Sequence, residues 1–105
     1  MTRQSSDCLF RRWVHSFEED TEGVAVYRPT DYDFPLARGR RALEFRPDGT
    51  FVDHPIGRGD APATAAGRWR TTDGRRFVAS FADSERPDRE VEILHCDDTV
   101  LRIRA

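Results

Sequence analysis

The polar residues that could do chemistry in this chain lie among aromatic residues. His15, Asp53 and His95 each alternate with large apolar residues at the two-residue period of a β-strand. Arg28 joins them if the stretch from Gly23 to Arg28 keeps its alternation to the end. A few convergent polar groups among rings are the usual composition of a small-molecule site. A histidine beside a carboxylate can also move protons near neutral pH. The alternative is that each side chain lies near the rim of the fold and is satisfied by water or backbone.

No catalytic or metal-binding motif accompanies these residues. The three histidines, His15, His54 and His95, do not repeat at a spacing that is diagnostic of a metal site, so we expect no metal. His54 has the opposite parity to Asp53, and we expect it to be a solvated surface residue. The chain has no glycine-rich phosphate loop, no Ser/His/Asp order and no Cys/His dyad. The sequence therefore indicates no cofactor and leaves catalytic activity open.

The charge pattern bears on partners and location. The 17 basic and 19 acidic residues nearly balance, which argues against nucleic-acid binding. No apolar run approaches the roughly 20 residues that a membrane helix needs. The stretch from Met1 to Arg12 lacks the apolar core of a secretory signal, so we expect a cytoplasmic protein. Arg38-Gly39-Arg40-Arg41 is a local basic cluster that could contact a phosphate or carboxylate, and the acidic run Glu18-Glu19-Asp20 could balance it.

The two cysteines, Cys8 and Cys96, are too few for a disulfide framework and are not spaced as a metal clip. We expect a free, half-buried thiol at each position. The alternative is a Cys8–Cys96 bridge, because the first and last strands of a closed barrel are neighbours.

The elements that must position these residues are strands. Helical periodicity is confined to a short turn from Ser5 to Arg11, and alternation with regularly spaced turn residues follows, which is typical of an all-β fold. We predict a single domain over residues 1–105, with a long aromatic loop from Pro29 to Gly39. The eight predicted strands are Arg12–Glu18, Gly23–Arg28, Arg40–Arg46, Thr50–Ile56, Gly67–Thr71, Arg75–Phe81, Glu90–His95 and Thr99–Arg104.

Hairpin geometry sets the register. Pro47-Asp48-Gly49 suits a three-residue loop that ends at positive φ, which places Phe45 opposite Phe51 and Leu43 opposite Asp53. Three-residue loops at Thr72-Asp73-Gly74 and Cys96-Asp97-Asp98 extend the same argument. The pairs that they predict are Trp69–Phe77, Ile93–Leu101, Val91–Ile103, Glu92–Arg102 and Glu90–Arg104.

Together these hairpins predict an eight-stranded antiparallel up-and-down β-barrel, whose closure removes exposed sheet edges. Large apolar residues and rings should then point inward along every strand. The expected inward set is Trp13, His15, Phe17, Val24, Val26, Leu43, Phe45, Phe51, Trp69, Phe77, Phe81, Val91, Ile93, Leu101 and Ile103.

Two motifs resemble those of short bacterial lipocalin-like domains. The hairpin from Leu43 to Phe51 resembles their F-x-x-D-G-T turn, and Gly67-Arg68-Trp69 resembles their G-x-W strand start. The chain departs from true lipocalins because it lacks the glycine two residues before Trp13, and because it is shorter. The resemblance implies a barrel that holds a small apolar molecule near its mouth. It also implies that Arg102 or Arg104, from the last strand, stacks on Trp13.

Two hypotheses for function follow. The first is a barrel that binds a small apolar or aromatic molecule, with an isomerase or cyclase as its catalytic variant. The second is an accessory module with a filled barrel, which contacts a protein partner or a second copy through the Tyr32–Leu36 loop or through a strand edge. A cavity of about 300 Å³ or more inside the barrel, lined by the polar groups, would favour the first hypothesis, and an interior filled by side chains would favour the second. Its predicted ligand-binding residues are His15, Arg28, Phe45, Phe51, Asp53, Trp69, Phe77 and His95.

Overall fold

A computed structural model describes residues 8–37, 39–54, 64–81 and 87–105. These residues form eight antiparallel strands that close into one barrel, as predicted. Of the predicted N-terminal turn, Cys8 and Leu9 are helical, and Ser5–Asp7 lie outside the described residues. No helix among the described residues has the length and apolar character to cross a membrane. The elements are β1 (Arg12–His15), a 3₁₀ turn (Phe17–Glu19), β2 (Val24–Pro29), β3 (Ala42–Phe45), β4 (Thr50–His54), β5 (Ala65–Thr71), β6 (Arg76–Phe81), β7 (Arg89–Cys96) and β8 (Leu101–Arg104).

The strand order departs from a simple meander in one place. Strands β3 to β8 follow one another around the wall, but β1 lies between β2 and β3, and β2 pairs with β8. Residues 30–41, which we call the crossover connection, therefore pass β1 on their way from β2 to β3. The first and last strands are not neighbours. Hairpin signals between sequential strands cannot reveal such a connection, because it depends on contacts distant in sequence.

The barrel has two ends that differ in chemistry. At the Leu9 end, strands β1, β4, β6 and β8 begin, and the residues before β1 pack against the core. At the Asp53 end, the same four strands finish. The direction of each strand therefore tells how close each of its inward residues lies to the Leu9 end or to the Asp53 end.

The centre of the barrel is filled by rings. Phe45 lies opposite Phe51, and Leu43 lies opposite Asp53, as the hairpin predicted. Gly49 has a φ of 96°, which confirms the glycine requirement of the three-residue loop. The Phe45 ring meets those of Phe51 and Phe77 edge to face, with centroids 5.0 and 5.4 Å apart. Such contacts add to the free energy gained from apolar burial.

The β5–β6 pairing differs from the prediction by two residues. Trp69 lies opposite Ala79, and Thr71 lies opposite Phe77. The Asp73 carboxylate accepts the backbone N–H groups of the two following arginines, which lengthens the loop. A shift of two residues preserves the faces. Trp69 and Phe77 therefore remain in contact, with ring centroids 5.3 Å apart.

The β7–β8 pairing was also predicted wrongly, and here one side chain changes face. Asp97 accepts the backbone N–H groups of Thr99 and Val100, so the turn holds four residues instead of three. A β-bulge between Ile93 and His95 absorbs the change. His95 consequently points outward, with 47% of its side chain exposed. The observed pairs are Ile93–Ile103, His95–Arg102 and Cys96–Leu101, and Glu92 bonds Arg104 instead of Arg102.

Strand β2 presents the face opposite to the predicted one. Ala25 and Tyr27 point into the barrel, whereas Val24 and Val26 point away from its interior, although Val26 is also buried. Tyr27 buries more apolar area than a valine can, and this selects the face. Arg28, which shares its parity with Val26, therefore points out of the barrel.

One other inward assignment and one predicted contact need correction. Phe17 belongs to the 3₁₀ turn and is partly exposed, because β1 ends three residues earlier than predicted. Trp13 is fully buried, but its cation contact is Arg11, whose guanidinium lies 5.4 Å from the ring centroid. Neither Arg102 nor Arg104 stacks on Trp13, because β2 separates β8 from β1. This feature of the lipocalin-like resemblance is absent.

Candidate ligand site at the Asp53 end

Asp53 is a carboxylate that faces the interior near the end of β4. Its register opposite Leu43 turns it inward, and only 7% of its side chain is exposed. Arg89, the first residue of β7, donates a hydrogen bond of 3.1 Å to Asp53 Oδ1. A second guanidinium, that of Arg41, lies 3.7 Å from the same oxygen. Burying a carboxylate is costly unless it is paired, and these arginines supply the pairing.

An open cleft of about 470 Å³ adjoins this cluster. Its volume falls within the range of about 300–1,000 Å³ that is usual for small-molecule sites. The lining contains two guanidinium groups, those of Arg41 and Arg89, and three carboxylates. One of these carboxylates, that of Glu90, lies 3.5 Å from Arg76 on the outer surface. The lining consists of Arg41, Asp53, Phe81, Pro87, Asp88, Arg89 and Glu90.

Phe81 supplies the aromatic part of the cleft. Its ring meets that of Phe51 edge to face at 6.0 Å, so it separates the cleft from the core. Gly67 lies directly opposite it on β5. A Cβ atom at Gly67 would overlap the carbonyl oxygen of Ser80 and lie 3.0 Å from the Phe81 ring. Glycine is therefore required there for the close approach of the two strands.

His15 lies at the same end, where β1 finishes. Its Nε2 atom is 2.9 Å from Asp20 Oδ2, and its ring stacks on Tyr27 with centroids 4.9 Å apart. The other carboxylate oxygen of Asp20 accepts the backbone N–H of Val26 at 2.8 Å. The backbone N–H of His15 donates to the carbonyl of Arg41, which places these two residues side by side on the wall. An imidazole oriented by a carboxylate can accept and donate protons.

Arg28 has a structural role outside the barrel. Its guanidinium binds both carboxylate oxygens of Glu19, at 2.9 and 2.7 Å, and lies 4.8 Å over the Tyr32 ring. The Arg28 hydrogen bonds, assisted by one from the Ser16 hydroxyl, lower the pKa of Glu19 to about 2. This contact ties the 3₁₀ turn to β2 and to the crossover connection.

Arg40 makes a similar contact that the sequence indicated only in outline. It binds both carboxylate oxygens of Glu18, at 2.8 and 2.6 Å. Its guanidinium lies 4.5 Å from the Phe17 ring centroid and 4.8 Å from that of Phe34. The predicted balance between the basic and acidic runs is thus confirmed for this pair. Arg38 of the same cluster lies outside the described residues.

The other two histidines lie away from the cleft. His95, on the outer face, has Nε2 2.7 Å from Asp97, and this contact holds the pKa of the Asp97 carboxyl well below its usual range. The prediction that His54 is solvated was wrong. Its Nε2 atom is buried without a hydrogen bond, 3.6 Å from a Glu44 carboxylate oxygen. The neighbouring Glu44 side chain on β3 lies against it.

The structure divides the eight predicted site residues into three groups. Phe45, Phe51, Trp69 and Phe77 pack on one another in the core. His15 and Asp53 share the Asp53 end, whereas Arg28 and His95 face outward. The sequence analysis missed Arg89 as a site residue and named Arg41 only within the basic cluster that could contact a phosphate or carboxylate. Both lie two residues before an inward residue, Leu43 and Val91, and that parity was the available signal.

Among the described residues, no three His, Cys, Asp or Glu side chains are grouped so that they could hold a metal ion. The chain matches no protein-family model, no curated protein and no solved structure.

Proposed function

We propose that this protein binds a small molecule at the Asp53 end of its barrel, and that the ligand carries an anionic group on an apolar or aromatic body. The supporting observation is the convergence of two arginines on one buried carboxylate beside an open cleft. Arg89 satisfies Asp53, whereas Arg41 lies beyond hydrogen-bond distance of it and is 44% exposed. The Arg41 guanidinium can therefore bind a ligand carboxylate through two parallel hydrogen bonds.

The apolar body of the ligand would lie on Phe81. This placement moves the ligand from the ring core, where the sequence analysis put it, to the mouth. The rings of Phe45, Phe51 and Phe77 then form the floor beneath the site, which explains why they are packed together and buried. His15 would lie near the polar group of the ligand as a proton donor or acceptor, and this arrangement supports the isomerase or cyclase variant of the proposal.

The lipocalin-like assignment belongs to the same proposal. It is supported by the closed eight-stranded barrel and by the hairpin at Gly49. The position of β1 between β2 and β3 argues against it, because lipocalins are up-and-down barrels.

Thermal unfolding in the presence of benzoate tests the binding proposal, with benzamide as the neutral probe of the same shape. Benzoate at about 100 times its dissociation constant should stabilise the fold by about 2.7 kcal/mol. The stabilisation should be lost in Arg41→Gln and retained in Arg102→Gln, a matched change of an exposed arginine on β8. Equal stabilisation of Arg41→Gln and the natural chain would contradict the proposal, as would equal effects of benzoate and benzamide.

A self-association function is the second candidate, and one observation favours it. Leu36, in the crossover connection, is fully exposed, and Tyr32 and Phe17 are exposed in part. Exposed apolar side chains of this size are a common feature of protein contacts. If this surface forms a homodimer, Leu36→Ser should shift the sedimentation coefficient toward that of the monomer. A chain that sediments as a monomer at all concentrations would exclude it.

The pairing of the two cysteines bears on the compartment in which we expect the protein. Cys8 and Cys96 form a disulfide, so the expected free thiols were wrong and the alternative is confirmed. They approach through the residues before β1, not through neighbouring first and last strands. The cytoplasmic location stays a prediction. Disulfides persist mainly in oxidising compartments, and this bond therefore favours one.

A further inference from the structure

The residues before β1 close the Leu9 end of the barrel. We call Cys8–Arg11 the N-terminal turn. The Leu9 side chain is 1% exposed and belongs to the core cluster. The Leu9 carbonyl accepts the indole N–H of Trp13 at 3.2 Å, and the Phe10 ring stacks on Trp69 with centroids 5.8 Å apart. The turn therefore contacts both tryptophans of the chain.

A single covalent bond fastens this turn to the wall. Cys8 is joined to Cys96, the last residue of β7, and the two Cα atoms are 6.3 Å apart. Both cysteines are half-buried, so part of each is accessible to solvent. Apart from the disulfide, the turn is held by side-chain packing and hydrogen bonds. These include the packing of Leu9 and Phe10, the hydrogen bond from the Trp13 indole to the Leu9 carbonyl, the contact of the Arg11 guanidinium with the Trp13 ring, the Arg11 side-chain bond to the Asp98 carbonyl and the bond from the Phe45 backbone N–H to the Arg11 carbonyl.

The barrel wall does not depend on the turn for its closure. The β1–β2 ladder begins at Trp13 and the β1–β3 ladder at Arg12, after the turn has ended. Cys96 remains paired with Leu101 by the β7–β8 ladder whether or not it is bonded to Cys8. Detaching the turn would expose apolar surface around Trp13 and Trp69 and would break the backbone hydrogen bond from Phe45 to the Arg11 carbonyl, while the β1–β2 and β1–β3 pairs remain.

We propose that the Cys8–Cys96 disulfide is a redox latch that holds the N-terminal turn on the barrel. A dithiol reductant supplies two electrons and two protons, so that the S–S bond breaks and each sulfur becomes a thiol. The reductant is oxidised to its own disulfide. The reduced turn then separates from the Leu9 end and exposes the apolar surface beneath it. This mechanism is independent of ligand binding at the Asp53 end.

The two tryptophans provide a direct readout, because both touch the turn. In dithiothreitol, the quenching of tryptophan fluorescence by acrylamide should rise at least twofold while the far-ultraviolet circular dichroism of the barrel is unchanged. Trypsin should cleave after Arg11 at least tenfold faster. The double variant Cys8→Ser/Cys96→Ser should show both properties without reductant and should not respond to it.

Two results would overturn the proposal. One is unchanged quenching and cleavage in protein whose two thiols have been counted after reduction, because the turn would then be held without the bond. The other is loss of the barrel dichroism in the reduced protein or in the double variant, because the bond would then hold the whole fold and not the turn alone.

Discussion

The two ends of this barrel are made from the same eight strands, but one end is apolar and covered whereas the other is charged and open. At the Leu9 end, Leu9 and Trp13 are buried under a turn that is fastened by a disulfide. At the Asp53 end, the inward positions carry Asp53 and Arg89, and the cleft is open to solvent. Apolar burial fixes one end and ion pairing shapes the other. This difference shows that an inward-facing position is not always part of a packed core. The type of residue at that position decides whether it packs against other side chains or remains available to a ligand.

Removing the disulfide at the Leu9 end should give the largest loss in the free energy of unfolding. The bond spans 88 residues of sequence, so it restricts nearly the whole unfolded chain. Loop-closure entropy for about 90 residues corresponds to about 4.6 kcal/mol of stabilisation. Urea unfolding of Cys8→Ser/Cys96→Ser should show a loss approaching this value. The oxidised natural chain serves as the reference, and a loss below about 1 kcal/mol would contradict the expectation.

Truncating the buried Leu9 side chain should give the second-largest loss of stability. Leu9→Ala removes a fully buried side chain from the core and should lower the free energy of unfolding by about 2–4 kcal/mol. Leu36→Ala is the matched control, because Leu36 is exposed, and a change of under about 0.5 kcal/mol is expected there. Similar losses in the two variants would show that the Leu9 end is not sealed as described.

The polar contacts of Arg28 on the outer face of β2 should give a smaller, pH-dependent effect. Arg28 lowers the pKa of Glu19 from 4.5 to about 2. A carboxyl group with a depressed pKa stabilises the fold fully above pH 4.5, and this contribution is lost as the pH falls toward 2. After allowance for partial exposure it amounts to about 1–2 kcal/mol.

Urea unfolding at pH 7 and pH 3 measures this contribution. Glu19→Gln should lower the free energy of unfolding at pH 7 and have a smaller effect at pH 3. Glu22→Gln, at an exposed position, is the control. An equal effect of Glu19→Gln at both pH values would show that its ion pair with Arg28 does not titrate as described.

The barrel and most of its inward face could be predicted from the sequence because the signals are local. Alternating rings and the glycine at position 49 determine the β3–β4 hairpin between Ala42 and His54. The features that were predicted wrongly, the turn registers and the crossover connection, depend on polar side chains that are not part of the alternating apolar pattern. Asp73 and Asp97 cap their turns and change the register, and the ion pairs of Arg28 and Arg40 hold the crossover connection.

The candidate site could be predicted only in part. Asp53 and His15 were placed at inward positions by parity, and both lie at the Asp53 end. Arg89 lies just before the predicted start of its strand, and its ion pair with Asp53 joins residues 36 apart in sequence. No local pattern identifies such a partner.

The central claim is that ligand binding belongs to the Asp53 end alone. Titration of ¹⁵N-labelled protein with benzoate, followed through backbone amide and indole N–H signals, tests it most directly. The account predicts shifts at Arg41, Asp53, Phe81 and Arg89 and none at the indole groups of Trp13 and Trp69. Shifts concentrated at those two indoles, or no shifts at millimolar benzoate, would contradict it.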